Sequence, residues 1–179
     1  RWHMTGPERA WLYQLAAESG LRSNELRSLS KSSFDFDKCT VTVKAGYSKR
    51  RREDVLPLRP ETAAELKRLF SGKLPNAEAF RMPSKSNVVR MFRDDLKAAK
   101  IDYQDESGKF ADLHSLRHST SSMLAAAGVN PKVAQKILRH STITLTYDRY
   151  GHVFAGQETD AVKALPDLAA PSQQSQEAK

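Results

Sequence analysis

The chain has 179 residues, enough for one domain with a substantial core, and carries 29 Lys and Arg against 21 Asp and Glu, a formal net charge of +8. That balance favours polyanionic partners. The chain holds no run of about 20 apolar residues, the length that spans a bilayer, and its first residues, Arg1-Trp2-His3-Met4, are not an apolar leader. With Cys39 as its one cysteine it cannot form an internal disulfide, and the composition points to a soluble protein of a reducing, cytoplasmic compartment.

In chain order, Pro7 followed by Trp11, Leu12, Leu15 and Ala16 predicts a helix with one apolar face. The spacing resumes at Leu21, Leu26 and Leu29 after a break at Gly20, which puts Arg22 at a turn between two helices. The period then changes to two. Phe34 and Phe36 alternate with Asp35 and Asp37, Val41 and Val43 alternate with Thr40, Thr42 and Lys44, and Val55-Leu56-Pro57-Leu58 is apolar and β-prone. A small antiparallel sheet fits, with the basic string Lys49-Arg50-Arg51-Arg52 in its second hairpin.

Pro60 opens a third helix with Leu66, Leu69 and Phe70 inward, and 72–83 reads as a loop broken by Pro75 and Pro83. Val88, Val89, Phe92, Leu96 and Ala99 mark a fourth helix whose opposite face carries Arg90, Arg93, Lys97 and Lys100. Leu113, Leu116, Met123, Leu124 and Ala127 mark a fifth, ending at Gly128. Asn130-Pro131 is a cap followed by proline at the first helical position, before Val133, Ala134, Ile137 and Leu138. A last short helix is expected over about 142–150, and the polar tail 171–179 is expected to be disordered.

The chemistry-bearing residues form an ordered set: Arg22, Lys49, His114, Arg117, His140 and Tyr150. Two arginines, a lysine and two histidines can surround a phosphodiester, and a tyrosine hydroxyl can attack it. Guanidinium forks neutralise nonbridging oxygens with a bidentate geometry that lysine cannot copy, so Arg22 and Arg117 are the candidates for that task. His114 lies three residues before Arg117, on the same helical face. Glu25 is placed to pair with Arg22 and orient it. His114 and His118 are four apart, but a metalloprotease pair has glutamate beside the first histidine and here Ser115 stands there, so no metal site is expected.

The strings Ser19-Gly20-Leu21-Arg22-Ser23-Asn24-Glu25-Leu26, His114-Ser115-Leu116-Arg117, Leu138-Arg139-His140-Ser141 and Tyr150-Gly151-His152 together resemble the catalytic domain of the tyrosine recombinases, also called the phage integrase family, over about residues 5–154. The resemblance implies a mainly helical domain with a small three-stranded antiparallel sheet, the fold of the DNA breaking and rejoining enzymes. It implies a recombinase or integrase serving a mobile element, in which Tyr150 forms a 3′-phosphotyrosine, no cofactor is used, and a homotetramer works on two DNA duplexes.

By the same resemblance residues 1–170 form the catalytic domain, and a separate N-terminal core-binding domain lies outside this chain. The family's essential lysine lies on a hairpin about eight residues before a proline that follows a strand, which selects Lys49 ahead of Pro57, with Lys44 the alternative. That lysine would protonate the leaving 5′-oxygen, and His140 would bond the same phosphate. DNA contacts are expected from Arg50, Arg51, Arg52, Arg90, Arg93, Lys97 and Arg139.

Two features depart from the family pattern. Its usual Leu-Gly-His reads Leu138-Arg139-His140 here, and the tyrosine follows that histidine by ten residues rather than the common nine. Tyr147 is therefore a second candidate nucleophile, although its neighbours Ile143 and Leu145 suggest a packing role. A type IB topoisomerase, or a DNA-binding module that keeps the fold without activity, are the competing functions. Relaxation of plasmid without sequence preference would mark the first, and absence of a covalent DNA adduct the second.

Overall fold

The computed structural model describes residues 2–48, 51–154, 158–163 and 165–166. Helices α1 (Gly6–Ser19) and α2 (Ser23–Ser28) precede strands β1 (Phe34–Asp35), β2 (Thr40–Val43) and β3 (Asp54–Pro57); α3 (Pro60–Leu69), α4 (Lys85–Ala98), α5 (Leu113–Ala126), α6 (Pro131–Leu138), α7 (Thr144–Phe154) and α8 (Glu158–Lys163) follow. The strands form one antiparallel sheet in the order β1-β2-β3, with Phe34 opposite Val41 and Val41 opposite Leu56. Val41, Val43 and Leu56 are buried on one face while Val55 points outward, as the period of two requires.

Helix α1 starts on a reciprocal cap. The Thr5 hydroxyl accepts from the Glu8 amide at 3.3 Å and the Glu8 carboxylate accepts from the Thr5 amide at 2.9 Å. Its inward residues Leu12, Leu15 and Ala16 are fully buried, and burial of each leucine contributes about 1.5–3 kcal/mol. Asp95 of α4 ties that helix to α1: Arg9 Nε and Nη2 donate to its two oxygens at 2.8 and 3.0 Å, and the Tyr13 hydroxyl donates at 2.7 Å. Because Val88, Met91 and Phe92 face the core, Arg90, Arg93 and Lys97 are left exposed. Val89 and Ala99 are exposed too, so the apolar stripe of α4 is narrower than its sequence suggests.

Helix α5 differs most from expectation. Met123 and Ala127, read as inward, are exposed, and the buried face is Leu113, Arg117, Thr120, Ser121 and Ala125. The reason is close packing on α1: the Thr120 hydroxyl donates to the Ala17 carbonyl at 2.7 Å, an approach that long side chains would prevent. Val133 on α6 is likewise exposed. The last predicted helix runs on to Phe154, and a further helix, α8, follows; Val162 on it and Leu165 after it are exposed. The tail 171–179 lies outside the described residues.

Gly20 closes α1 in the left-handed region, with φ 61°, and its amide donates to the Ala16 carbonyl at 3.0 Å. A β-carbon there would stand 2.9 Å from Leu138 Cδ2 and 3.7 Å from Arg117 Cγ. Gly20→Ala should therefore destabilise the fold by at least about 1–2 kcal/mol, from backbone strain alone, before the clash. Gly46→Ala, with nothing within 4 Å, is the control. Equal melting temperatures for the two variants would contradict this packing.

Candidate active site

Four of the six residues singled out from the sequence converge. Arg22, His114, Arg117 and His140 line one cavity of about 440 Å3, together with His118, Ser121, Leu145 and Asp148. They arrive from four places: the start of α2, two positions on α5, and the exit of α6. His114 and Arg117 share a face because they are three residues apart on one helix.

Arg22 is held from below by Glu25, which is almost completely buried. Glu25 Oε1 accepts from Arg22 Nη1 at 3.1 Å, and Oε2 accepts from the Arg22 amide at 2.8 Å. The pairing expected from the spacing is present, and the Arg22 side chain keeps 29% of its surface exposed. Arg117 is more enclosed. Its Nη1 donates to the Gly20 carbonyl and its Nη2 to the Leu138 carbonyl, so the guanidinium bridges the ends of α1 and α6. Burial, then the charges of Arg22 and Arg139, lower its pKa to about 10, which leaves it a cation at neutral pH.

His140 is oriented through Nδ1, 3.0 Å from the Thr146 hydroxyl, a fully buried group that sequence reasoning passed over. The ring of His114 stands 4.9 Å from that of His118, edge to face. Among the described residues no group of three or more His, Cys, Asp and Glu side chains is assembled to hold a metal ion. No described helix is long and apolar enough to cross a membrane.

Two residues of the set are placed otherwise. Lys49, with Arg50, lies outside the described residues. Tyr150 does not line the cavity. It is fully buried, packed with Ala125 and Ala134 against Leu124 and Val129, and burial raises its pKa. The packing role expected of Tyr147 is not found: that residue is 54% exposed and Leu145 is 48% exposed. The helical period explains the exchange, because Thr146 and Tyr150 are one turn apart and share the inward face, whereas Tyr147 falls outside it.

The expected DNA contacts divide as well. Arg51 is exposed, Arg52 is 59% exposed beside Asp54, and Arg93 lies over the Tyr103 ring at 4.3 Å. Arg139 is corrected: it is not a surface residue available to DNA but is buried, with Nη2 2.7 Å from Glu25 and Nη1 3.6 Å from Asp54. A buried arginine between two carboxylates has its charge engaged inside the protein. Asp54 and Asp148 do not stand out in the sequence, since a lone carboxylate beside a basic turn or on a surface helix carries no distinguishing signal.

The Phage integrase family model matches residues 6–157. The chain belongs to this family. A tyrosine recombinase of Thermosipho africanus is 32% identical over 151 residues, covering 82% of this chain and 50% of the relative. This phage integrase family chain thus spans about half the length of the curated relatives it matches. The catalytic domain of bacteriophage HP1 integrase superposes with a TM-score of 0.65 at 22% identity, covering 96% of this chain and 89% of that one. The Tn1549 transposon integrase in complex with transposon right-end DNA gives 0.70 at 20%, covering 88% and 58%. These likenesses establish the fold as that of tyrosine recombinase catalytic domains, mostly helical with a small three-stranded sheet.

The charge state of His114 is testable. Partial desolvation of its ring, then the charges of Arg117 and Arg22, hold its pKa below the ordinary 6.5. The folded chain therefore binds fewer protons than the unfolded chain between the two values. Its contribution to stability is present above about pH 6.5 and is lost as pH falls through the depressed folded value. Melting temperature measured from pH 7.5 down to pH 5 should fall less steeply for His114→Gln than for the unaltered chain. Identical slopes would show that the ring titrates normally.

Proposed function

We propose that this chain is the catalytic part of a site-specific DNA recombinase or integrase that cuts and rejoins double-stranded DNA through a 3′-phosphotyrosine. The convergence of Arg22, Arg117, His114 and His140 on one cavity carries the reading. The names of the relatives, tyrosine recombinases, support it. In this reading the scissile phosphate lies in the cavity, with its nonbridging oxygens on Arg22 and Arg117, where charge grows as phosphorus becomes five-coordinate. His140, fixed by Thr146, bonds the same phosphate.

Tyr150 Oη attacks phosphorus. The new P–O bond forms as the bond to the 5′-oxygen breaks, the phenol proton passes to the neutral imidazole of His114, and Lys49 gives a proton to the departing oxygen. A 5′-hydroxyl of the second strand reverses these steps. The ester conserves the bond energy, and side-chain cations supply the positive field that a metal supplies in other phosphoryl transfers.

The buried position of Tyr150 makes a movement of α7 part of the reading. Asp148 faces the cavity, and Tyr150 lies about 160° around the helix from it at 100° per residue. Rotation or local unwinding of α7 on DNA must bring the phenol across. Lys49, Arg50, Arg51 and Arg52 on the hairpin, with Arg90, Arg93 and Lys97 on α4, serve as phosphate contacts. In this reading the protein acts on cytoplasmic DNA as a homotetramer on two duplexes, and exposed Val162 and Leu165 beyond the nucleophile favour contact with a neighbouring copy. The remaining half of a full-length relative would supply a core-binding domain.

On a nicked suicide substrate, Tyr150→Phe should abolish the covalent adduct with DNA affinity unchanged, whereas Tyr147→Phe should retain the adduct. Peptide mapping that finds the phosphate ester on Tyr147 would reassign the nucleophile, and no adduct with the unaltered chain would leave a DNA-binding module. Lys49→Ala should slow cleavage roughly 100- to 10,000-fold on an ordinary phosphodiester. A substrate with sulfur in place of the leaving 5′-oxygen needs no acid and should recover most of that loss. Recovery of a Lys44→Ala variant instead would transfer the role to Lys44.

A further inference from the structure

We propose that Arg139, which stands where the family pattern has glycine, is a positioning residue that locks the lysine-bearing hairpin to the phosphate-binding Arg22 through two buried carboxylates. This rests on the recombinase reading of the site. Arg139 ends α6 in the left-handed region, φ 55° and ψ 42°, a conformation that costs a residue with a β-carbon what it would not cost glycine. Something must offset that strain. The side chain runs inward, 4% exposed, and its Nη2 donates to Glu25 Oε2 at 2.7 Å. On the other side its Nη1 stands 3.6 Å from Asp54 Oδ2.

Each carboxylate has a second task. Glu25 holds Arg22 by side chain and amide. Asp54, at the start of β3, accepts from the Ser48 hydroxyl at 2.9 Å and from Arg52 Nε at 3.1 Å. Ser48 and Arg52 flank Lys49 in the sequence, in the connection between β2 and β3. The chain of contacts Arg22–Glu25–Arg139–Asp54–Ser48 thus runs from the base of one functional side chain to the residue that precedes Lys49 in sequence. A long, forked cation at position 139 reaches both carboxylates, which lie 114 and 85 residues earlier in the sequence, whereas a glycine there has no side chain to connect them.

Backbone amide exchange across 44–54 and cleavage kinetics test the proposal on the full chain. Arg139→Gln should speed exchange of the Tyr47, Ser48 and Arg51 amides about tenfold and slow cleavage of an ordinary phosphodiester by roughly 10- to 100-fold, with DNA affinity held. The 5′-sulfur substrate should recover most of the deficit, because the fault lies in delivery of the lysine. Asp54→Asn breaks only the hairpin side of the link and should reproduce both effects even where Arg139→Gln fails to fold. Unchanged exchange in both variants overturns the link. So does a deficit equal on oxygen and sulfur leaving groups, and a loss of DNA affinity with normal cleavage once bound would make Arg139 a DNA contact instead. Absence of any adduct with the unaltered chain would refute the recombinase reading while leaving the exchange result to decide the link.

Discussion

Three backbone segments far apart in sequence meet on one guanidinium, that of Arg117. Its two terminal nitrogens satisfy the carbonyls of Gly20, at the end of α1, and Leu138, at the end of α6, while its own backbone belongs to α5. Buried carbonyls left without donors cost about 1–3 kcal/mol each, so the group that binds phosphate in the proposed chemistry also closes the helical framework. Loss of Arg117 therefore mixes folding with function. Arg22, partly exposed and standing just before a short helix, separates the two more cleanly.

The cavity concentrates cations, and concentrated cations repel. Arg22 and Arg139 both act to lower the pKa of Arg117, and Arg117 acts on His114 in the same direction. Glu25 is the counterweight, buried where water cannot screen it and bonded to two of those arginines. A pre-assembled positive field of this kind needs little reorganisation when an anion arrives, which is where such sites gain over water. The same field favours a histidine that is neutral at physiological pH and so able to take a proton.

Local chemistry makes part of this arrangement legible in the amino-acid sequence. Arg22, His114, Arg117 and His140 are recognisable because short strings of neighbours travel with them, and the helix starts at Pro60 and Asn130-Pro131 because capping depends on adjacent residues. Tertiary contact decides the rest. The inward face of α5 is polar because it lies close on α1, and no apolar period reports that. Arg139 reads as one more surface base until Glu25 and Asp54, from elsewhere in the chain, close around it. Tyr147 and Tyr150 exchange their expected environments because a three-residue spacing on a helix leaves them about 60° apart, enough to separate inside from outside.

The contact between His140 and Thr146 has a mechanical consequence. Thr146 sits one turn before Tyr150 on the same buried face of α7, so a rotation that frees the tyrosine also withdraws the hydroxyl from Nδ1 of the imidazole. Under such a rotation the two events are geared together, and Thr146 holds the histidine only while the tyrosine is stowed. Local unwinding restricted to the C-terminal half of α7 would uncouple them, delivering the phenol while Thr146 keeps its grip. In the proposed chemistry, where His140 stays on the phosphate, the hydrogen bond therefore favours yielding on the C-terminal side of Thr146.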